Sequence, residues 1–176
     1  MTSSPTQPLY LGKVTDTPLG DLWIACSDLG LVAVEWAASR PELMDYLMRR
    51  LKRAVEHNPK QTAHAASELR EYLDGKLHEF SIPIDWSQMR PFQRQVLQAT
   101  FAIPYGQITT YGLLAEQIGR PKAARAVGRA QATNPMPLVI PCHRVLAADG
   151  KLTGYGGGEG LKTKKWLLLM EGVVLA

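Results

Sequence analysis

At Pro41 the apolar residues of this chain change period, from roughly every second position to every third or fourth, and no single regular element serves both patterns. Upstream, Tyr10–Thr15, Asp21–Cys26 and Gly30–Trp36 are short β-prone runs separated by the turn signals Thr17-Pro18-Leu19-Gly20 and Ser27-Asp28-Leu29-Gly30, so the first third predicts a β-meander. Downstream, Leu43, Leu47, Leu51 and Val55, with Met44 and Met48 beside them, form a helical stripe with Pro41 at its first position. Leu69, Tyr72 and Leu73 mark a second helix that Gly75 ends. The stretch Glu79–Arg90 lacks sustained helical period and divides the chain into an expected α/β lobe at 1–88 and a second domain at 89–176. The fold class read from this pattern is α+β.

The 176 residues are 45% hydrophobic, enough for a real core in each lobe, and two cysteines exclude a disulfide scaffold. The aliphatic run Leu167-Leu168-Leu169-Met170 falls far short of the ~20 residues a membrane span needs, so no membrane association is expected. Met1–Pro8 has neither a basic nor an apolar leader region, which predicts a cytoplasmic protein with reduced thiols.

The net charge of +4 is unevenly divided. Residues 1–85 carry nine Lys and Arg against twelve Asp and Glu, a balance of −3; residues 86–176 carry eleven against four, a balance of +7. A basic half points to a polyanionic partner, although a solvated basic face would have the same composition.

Within the basic half, a helix starts near Pro91, with Phe92, Val96, Leu97 and Phe101 read onto one side, and Ile103-Pro104-Tyr105-Gly106 breaks it. Thr109 or Thr110 can cap a short helix carrying Leu113, Leu114 and Ile118. Gly119-Arg120-Pro121 then supplies a turn into an Ala-rich helix, Lys122–Ala132, bearing Lys122, Arg125 and Arg129. Short helix, glycine turn and basic second helix is the layout of a DNA-binding helix-turn-helix.

The apolar run Leu138-Val139-Ile140, read as a buried strand, leads into Pro141-Cys142-His143-Arg144-Val145. Neighbouring positive charge and backbone dipoles are expected to favour the Cys142 thiolate, whereas Cys26 has no cationic neighbour and reads as a core residue. Cys142 and His143 are adjacent, so in an extended segment they would point apart; a contact needs a bend or a bridging water. There is no Cys-x-x-Cys or His-x-x-x-His, and His57, His64 and His78 are scattered, so no metal and no cofactor are expected. The glycine-rich Thr153–Gly160 lacks the Gly-Lys-Ser/Thr ending of a phosphate-binding loop and reads as one wall of a pocket, followed by a last helix at Leu161–Met170.

From Pro104-Tyr105-Gly106 and Thr110-Tyr111, through Ala123-Ala124-Arg125-Ala126-Val127-Gly128, Asn134-Pro135 and Ile140-Pro141-Cys142-His143-Arg144-Val145, to Tyr155 with its glycines and Trp166-Leu167-Leu168 before Glu171-Gly172, the second half resembles the O6-alkylguanine-DNA alkyltransferases of the bacterial stand-alone type. The first half is similar more loosely, through Thr17-Pro18-Leu19-Gly20. The resemblance implies a ribonuclease-H-like amino-terminal lobe and a mostly helical second lobe with a winged-helix-like helix-turn-helix. It implies stoichiometric, irreversible transfer of the alkyl group from O6-alkylguanine, and from O4-alkylthymine, in duplex DNA onto Cys142, after minor-groove binding and base flipping. His143 would act through a water as the base of Cys142, oriented by Glu171; Tyr111 would donate to the guanine ring; Asn134 would brace the turn between helix and cysteine. Arg125 would replace the flipped nucleotide in the stack, with Lys122, Ala123, Ala124, Gly128 and Arg129 alongside it on the DNA. Tyr155, Val145, Gly156 and Gly157 would line the base pocket, with backbone groups of Cys142, Val145 and Gly156 reading the base edge. The partner is then damaged double-stranded DNA, bound by a monomer with the option of cooperative assembly.

Two departures stand out. Some members carry Ser where this chain has Gly156, which leaves a less crowded wall suited to larger alkyl groups. Some hold zinc in the amino-terminal lobe; this chain offers Cys26 but no second cysteine there. A lesion-flagging relative without alkyl transfer would lack Cys142, a transcription regulator would need a further domain, and a cysteine hydrolase would leave the basic helix unexplained.

Overall fold

The computed structural model describes residues 7–36 and 39–175; most of Met1–Pro8, where no leader was expected, lies outside them. The chain parts between Gln88 and Met89 into two compact units.

In the first unit, β1 (Leu9–Val14), β2 (Leu22–Ser27), β3 (Gly30–Glu35) and β4 (Val55–His57) form one sheet in the order β3-β2-β1-β4. The first three are the expected antiparallel meander, with Val14 opposite Leu22 and Leu11 opposite Ala25. Alternation along β1 sends Leu9 and Leu11 to one face, where they pack with Leu43 and Leu47 of α1 (Arg40–Leu51). The other face meets α2 (Pro59–Leu73), and the approach at Gly12 is close enough that a Cβ there would overlap the side chain of Thr62. Glycine is what lets that helix seat.

Val55 departs from expectation. It belongs to β4, paired in parallel with Leu9, and not to the α1 stripe. Ser39 opens α1 by accepting from the Glu42 amide, and Lys52, at φ 54°, ends it, so the chain has already turned before Val55.

The second unit packs α3 (Pro91–Phe101), α4 (Tyr111–Gln117) and α5 (Ala124–Ala132) around Val96, Leu114, Ala115, Val127 and Ala130. Phe101 is exposed and does not share the buried side; it lies nine residues beyond Phe92, about two and a half turns, which places it on the opposite side. Leu113 is also exposed. Thr110 is the α4 cap, accepting from the Leu113 amide at 3.2 Å. After α4, Gly119 takes φ 72° while its amide bonds Glu116 O and the Arg120 amide reaches back to Ala115 O, a left-handed helix stop that glycine adopts without strain. The expected second helix begins two residues late: Ala123 N bonds Arg120 O to close the turn, which leaves Lys122 and Ala123 ahead of α5.

Leu138-Val139-Ile140 is not a strand. The three residues are fully buried, but Leu138 has φ 76° and Ile140 N bonds Met136 O, so the run is a buried turn. The sheet of this unit is two rungs long: β5 (Thr109–Thr110) runs parallel to β6 (Val145–Leu146). The last helix, α6 (Leu161–Met170), follows the glycine-rich loop.

Candidate active site

Cys142, His143 and Arg144 form a single 3-10 turn, closed by the Arg144 amide on Pro141 O at 2.9 Å. This is the bend that adjacency of Cys142 and His143 required. Directly after it, β6 pairs with β5, and β5 leads into α4 at Tyr111; these two rungs tie the reactive turn to the helix-turn-helix. Asn134, just past α5, adds a second tie: its Nδ2 donates to Ile140 O at 2.8 Å while its Oδ1 accepts from the Met136 amide at 3.0 Å. Asn134 also lies within reach of the Cys142 sulfur.

His143 is completely buried, and its Nε2 is 2.8 Å from Oε1 of Glu171. The same carboxylate accepts from Arg144 through Nε at 2.9 Å and a terminal nitrogen at 2.8 Å, and from the Gly106 amide at 3.2 Å. The third guanidinium nitrogen of Arg144 donates to Ile103 O. Held by a bidentate Arg, Glu171 is fixed as an acceptor, so Nε2 of His143 carries the hydrogen and Nδ1 keeps its lone pair. Burial holds the imidazole below its usual titration range, against the opposing pull of Glu171, and His143 is therefore neutral at neutral pH.

Cys142 is 7% exposed. Burial raises its pKa, and this outweighs the lowering effects of Asn134, Lys164 and the backbone amides of Cys142 and His143. The thiolate expected from the neighbouring charges is thus not the resting form: desolvation costs an anion more here than those partners return, and the sulfur rests as a thiol.

The remaining expected pocket residues gather around it. The Tyr111 hydroxyl donates to Thr153 O at 3.2 Å. The Tyr155 ring stands edge-on to His143 at 6.5 Å between centroids, with its hydroxyl buried. Gly156 is exposed and Gly157 buried; nothing lies nearer to a Cβ at Gly156 than Ala132 O at 3.7 Å. Gly128 faces the Tyr111 ring, 3.9 Å from where its Cβ would sit. The Val145 carbonyl, expected to face the base, already accepts from Lys164 at 2.7 Å, which leaves one lone pair for any further donor.

Lys122, Arg125 and Arg129 are exposed, and among the described residues none of them forms an ion pair. Arg144 and Lys164 were not foreseen as site residues. Arg144 stood inside the Cys-His-Arg motif, but its partner Glu171 lies 27 residues away; nothing local to Lys164 distinguishes it from the solvated Lys162 and Lys165. Among the described residues no cluster of three His, Cys, Asp or Glu is placed to hold a metal, and no helix is long and apolar enough to cross a membrane.

Fold and site together define a class: two-lobed proteins in which a basic helix-turn-helix carries a buried cysteine. Residues 91–173 match the family described as 6-O-methylguanine DNA methyltransferase, DNA binding domain, and residues 10–86 its ribonuclease-like domain. The chain is 42% identical over 165 residues to the methylated-DNA–protein-cysteine methyltransferase of Salmonella typhimurium, covering 90% of this chain and 94% of that one. It is 42% identical over 159 residues to the protein of the same name from Mycolicibacterium paratuberculosis, with 90% of each covered. Among solved structures, the Mycobacterium tuberculosis protein in complex with DNA superposes with a TM-score of 0.74 at 35% identity, over 92% of both chains. This chain belongs to the O6-methylguanine-DNA methyltransferase family.

Proposed function

We propose that the protein repairs DNA by moving the alkyl group of O6-alkylguanine onto the sulfur of Cys142. One observation carries this reading: a buried thiol and a neutral histidine share a turn that is tied by β5 and β6 to a helix pair with an unneutralised basic face. The names of the relatives and the DNA complex of the mycobacterial neighbour support it.

In the resting pocket Cys142 is a thiol and needs a base. Nδ1 of His143, acting through a water, takes the proton, and Glu171 with Arg144 holds the ring and stabilises the imidazolium. The sulfur attacks the alkyl carbon, the carbon–O6 bond breaks, and its electron pair passes to the base. Tyr111 leaves Thr153 O and gives its proton to the guanine ring nitrogen, then recovers one from His143. The products are a thioether at Cys142 and an unmodified guanine; the S–H proton ends on the base. Nothing in the cycle restores the thiol, so each chain acts once.

For access, Arg125 fills the stack left by the flipped nucleotide, offsetting part of the few kcal/mol that flipping costs. Lys122 and Arg129 contact phosphates, with Ala123, Ala124 and Gly128 giving the backbone close approach; Tyr155, Gly156 and Gly157 enclose the base. O4-alkylthymine, smaller than guanine, fits the same chemistry. The lobes act as domains 1–88 and 89–176, and the chain binds as a monomer whose cooperativity sedimentation on long duplexes would measure. A thiol that must stay reduced and meet DNA fits the cytoplasm.

The deciding experiment is intact-protein mass after incubation with an O6-methylguanine duplex. A gain of one methyl per chain, absent in Cys142→Ala, is expected. Tight binding to the duplex with no gain in mass would replace repair with lesion recognition alone.

A further inference from the structure

The bend at residues 103–106, which follows α3, meets the buried Arg144–Glu171 pair at several points. Ile103 O accepts from Arg144, and the Gly106 amide donates to Oε2 of Glu171 at 3.2 Å. Between these two stands Tyr105. Its ring lies over the Arg144 guanidinium, 5.8 Å from centroid to Cζ, and its hydroxyl donates to Met170 O at 3.2 Å. Met170 is the last residue of α6 and the peptide neighbour of Glu171. Tyr105 thus meets the cation with its face and the backbone beside the carboxylate with its oxygen. Gly106 permits so close an approach: it takes φ 73°, and a Cβ there would come within 2.9 Å of Glu171 O.

An aromatic face suits this place for a physical reason. It attracts a cation without taking up the N–H donors, which lie in the guanidinium plane. Arg144 keeps those donors for Glu171 and Ile103 O, and its side chain is 6% exposed. A second carboxylate in the same position would compete with Glu171 for them. The ring holds the cation down without that competition, and Oε1 of Glu171 stays 2.8 Å from Nε2 of His143.

We propose that Tyr105 is a positioning residue for the transfer reaction: its ring keeps Arg144 seated on Glu171, so that the carboxylate holds His143 in the tautomer with hydrogen on Nε2. The inference rests on His143 being the base of the proposed reaction, for which Nδ1 must keep its lone pair. Tyr105 exchanges no proton in that reaction and acts through Arg144 and Glu171. Its hydroxyl bond to Met170 O fixes the ring in place, and the face does the holding.

The test is the NMR spectrum of the imidazole nitrogens of His143 in isotope-labelled full-length protein without DNA, above the ordinary imidazole titration range, with His143→Gln identifying the signals. Wild type should show a protonated Nε2 and a bare Nδ1. Tyr105→Met keeps apolar bulk but has no aromatic face; both signals should move towards the averaged positions of mixed tautomers, and Tyr105→Phe should restore the wild-type pattern. Single-turnover transfer should fall about tenfold in Tyr105→Met, the size of a covered cation–π contact, and return to within about threefold of wild type in Tyr105→Phe. The loss should be equal on an O6-methylguanine duplex and on free O6-benzylguanine, because the base serves both. Unmoved nitrogen signals in folded Tyr105→Met overturn the proposal, as does a loss confined to the duplex. Should Tyr105→Met not fold, Tyr105→pentafluorophenylalanine decides: it keeps the ring's shape and withdraws its negative face, so mixed tautomers are expected, and a wild-type pattern overturns the proposal. The nitrogen spectra involve no DNA. If they change as expected while an O6-methylguanine duplex leaves the mass of the wild type unchanged, the positioning stands and the repair reading falls.

Discussion

Nε2 of His143 and Oε1 of Glu171 lie 2.8 Å apart with both side chains fully buried, and Arg144 grips the same carboxylate from the other side. The imidazole is thereby locked in one tautomer, and its base strength rests on a group 28 residues away.

Replacing Glu171 with Gln keeps the shape and removes the charge. We expect the single-turnover rate of methyl transfer to fall about 100-fold, the range of general-base contributions. Arg144 would be left buried without a counter-charge, at a cost of about 3–5 kcal/mol in stability. Quench-flow rates taken well below the variant's thermal midpoint separate the two effects; an unchanged rate in folded protein would remove His143 from the role of base.

Acid should weaken the fold through the same histidine. Burial depresses the folded-state pKa of His143 below its ordinary 6.5, so as pH falls the unfolded chain takes up a proton that the folded one refuses. The unfolded state then binds more protons, and stability drops as pH falls through that value. Thermal melts from about pH 8 to pH 5 should show this loss, and His143→Gln should flatten the profile. Parallel profiles for the two proteins would contradict the buried neutral imidazole.

Gly156 leaves one wall of the pocket open, with its nearest neighbour 3.7 Å from where a Cβ would stand. Gly156→Ser should fold normally and reduce repair of O6-benzylguanine relative to O6-methylguanine in competition assays. A ratio that does not move would mean that alkyl size is sensed elsewhere.

Arg125 is exposed and without an ion pair, and its proposed work is to hold open a duplex. Arg125→Ala should slow repair of duplex DNA by about tenfold or more, the equivalent of about 1.4 kcal/mol, while leaving reaction with the free O6-benzylguanine base intact. Equal losses on both substrates would point to a damaged pocket. Lys122→Ala, by contrast, should reduce affinity uniformly and make the salt dependence shallower.

How much of this the sequence discloses depends on how local each cause is. The meander, α1 to α3 and the α4 cap follow from period and turn residues within a few positions of each other. β4 does not, because Val55 pairs with Leu9 across 46 positions and its three residues carry no pattern of their own. Leu138-Val139-Ile140 misleads for a related reason: burial on all sides makes an apolar run whether the backbone is extended or turned. At the site, motif order exposes Cys142, His143, Tyr111, Asn134 and Glu171. It is silent on Lys164, whose burial depends on where Val145 and Thr153 place their carbonyls, and on the resting thiol, since neighbouring charges in sequence carry no information about desolvation.

Burial of Cys142, a residue 7% exposed and protonated at rest, has a meaning beyond catalysis. A reagent that each chain can spend only once must be guarded against peroxides and stray electrophiles that would waste it. Keeping the sulfur covered and uncharged until a fitting guest fills the cavity rations that single use, trading speed towards small molecules for fidelity to the lesion.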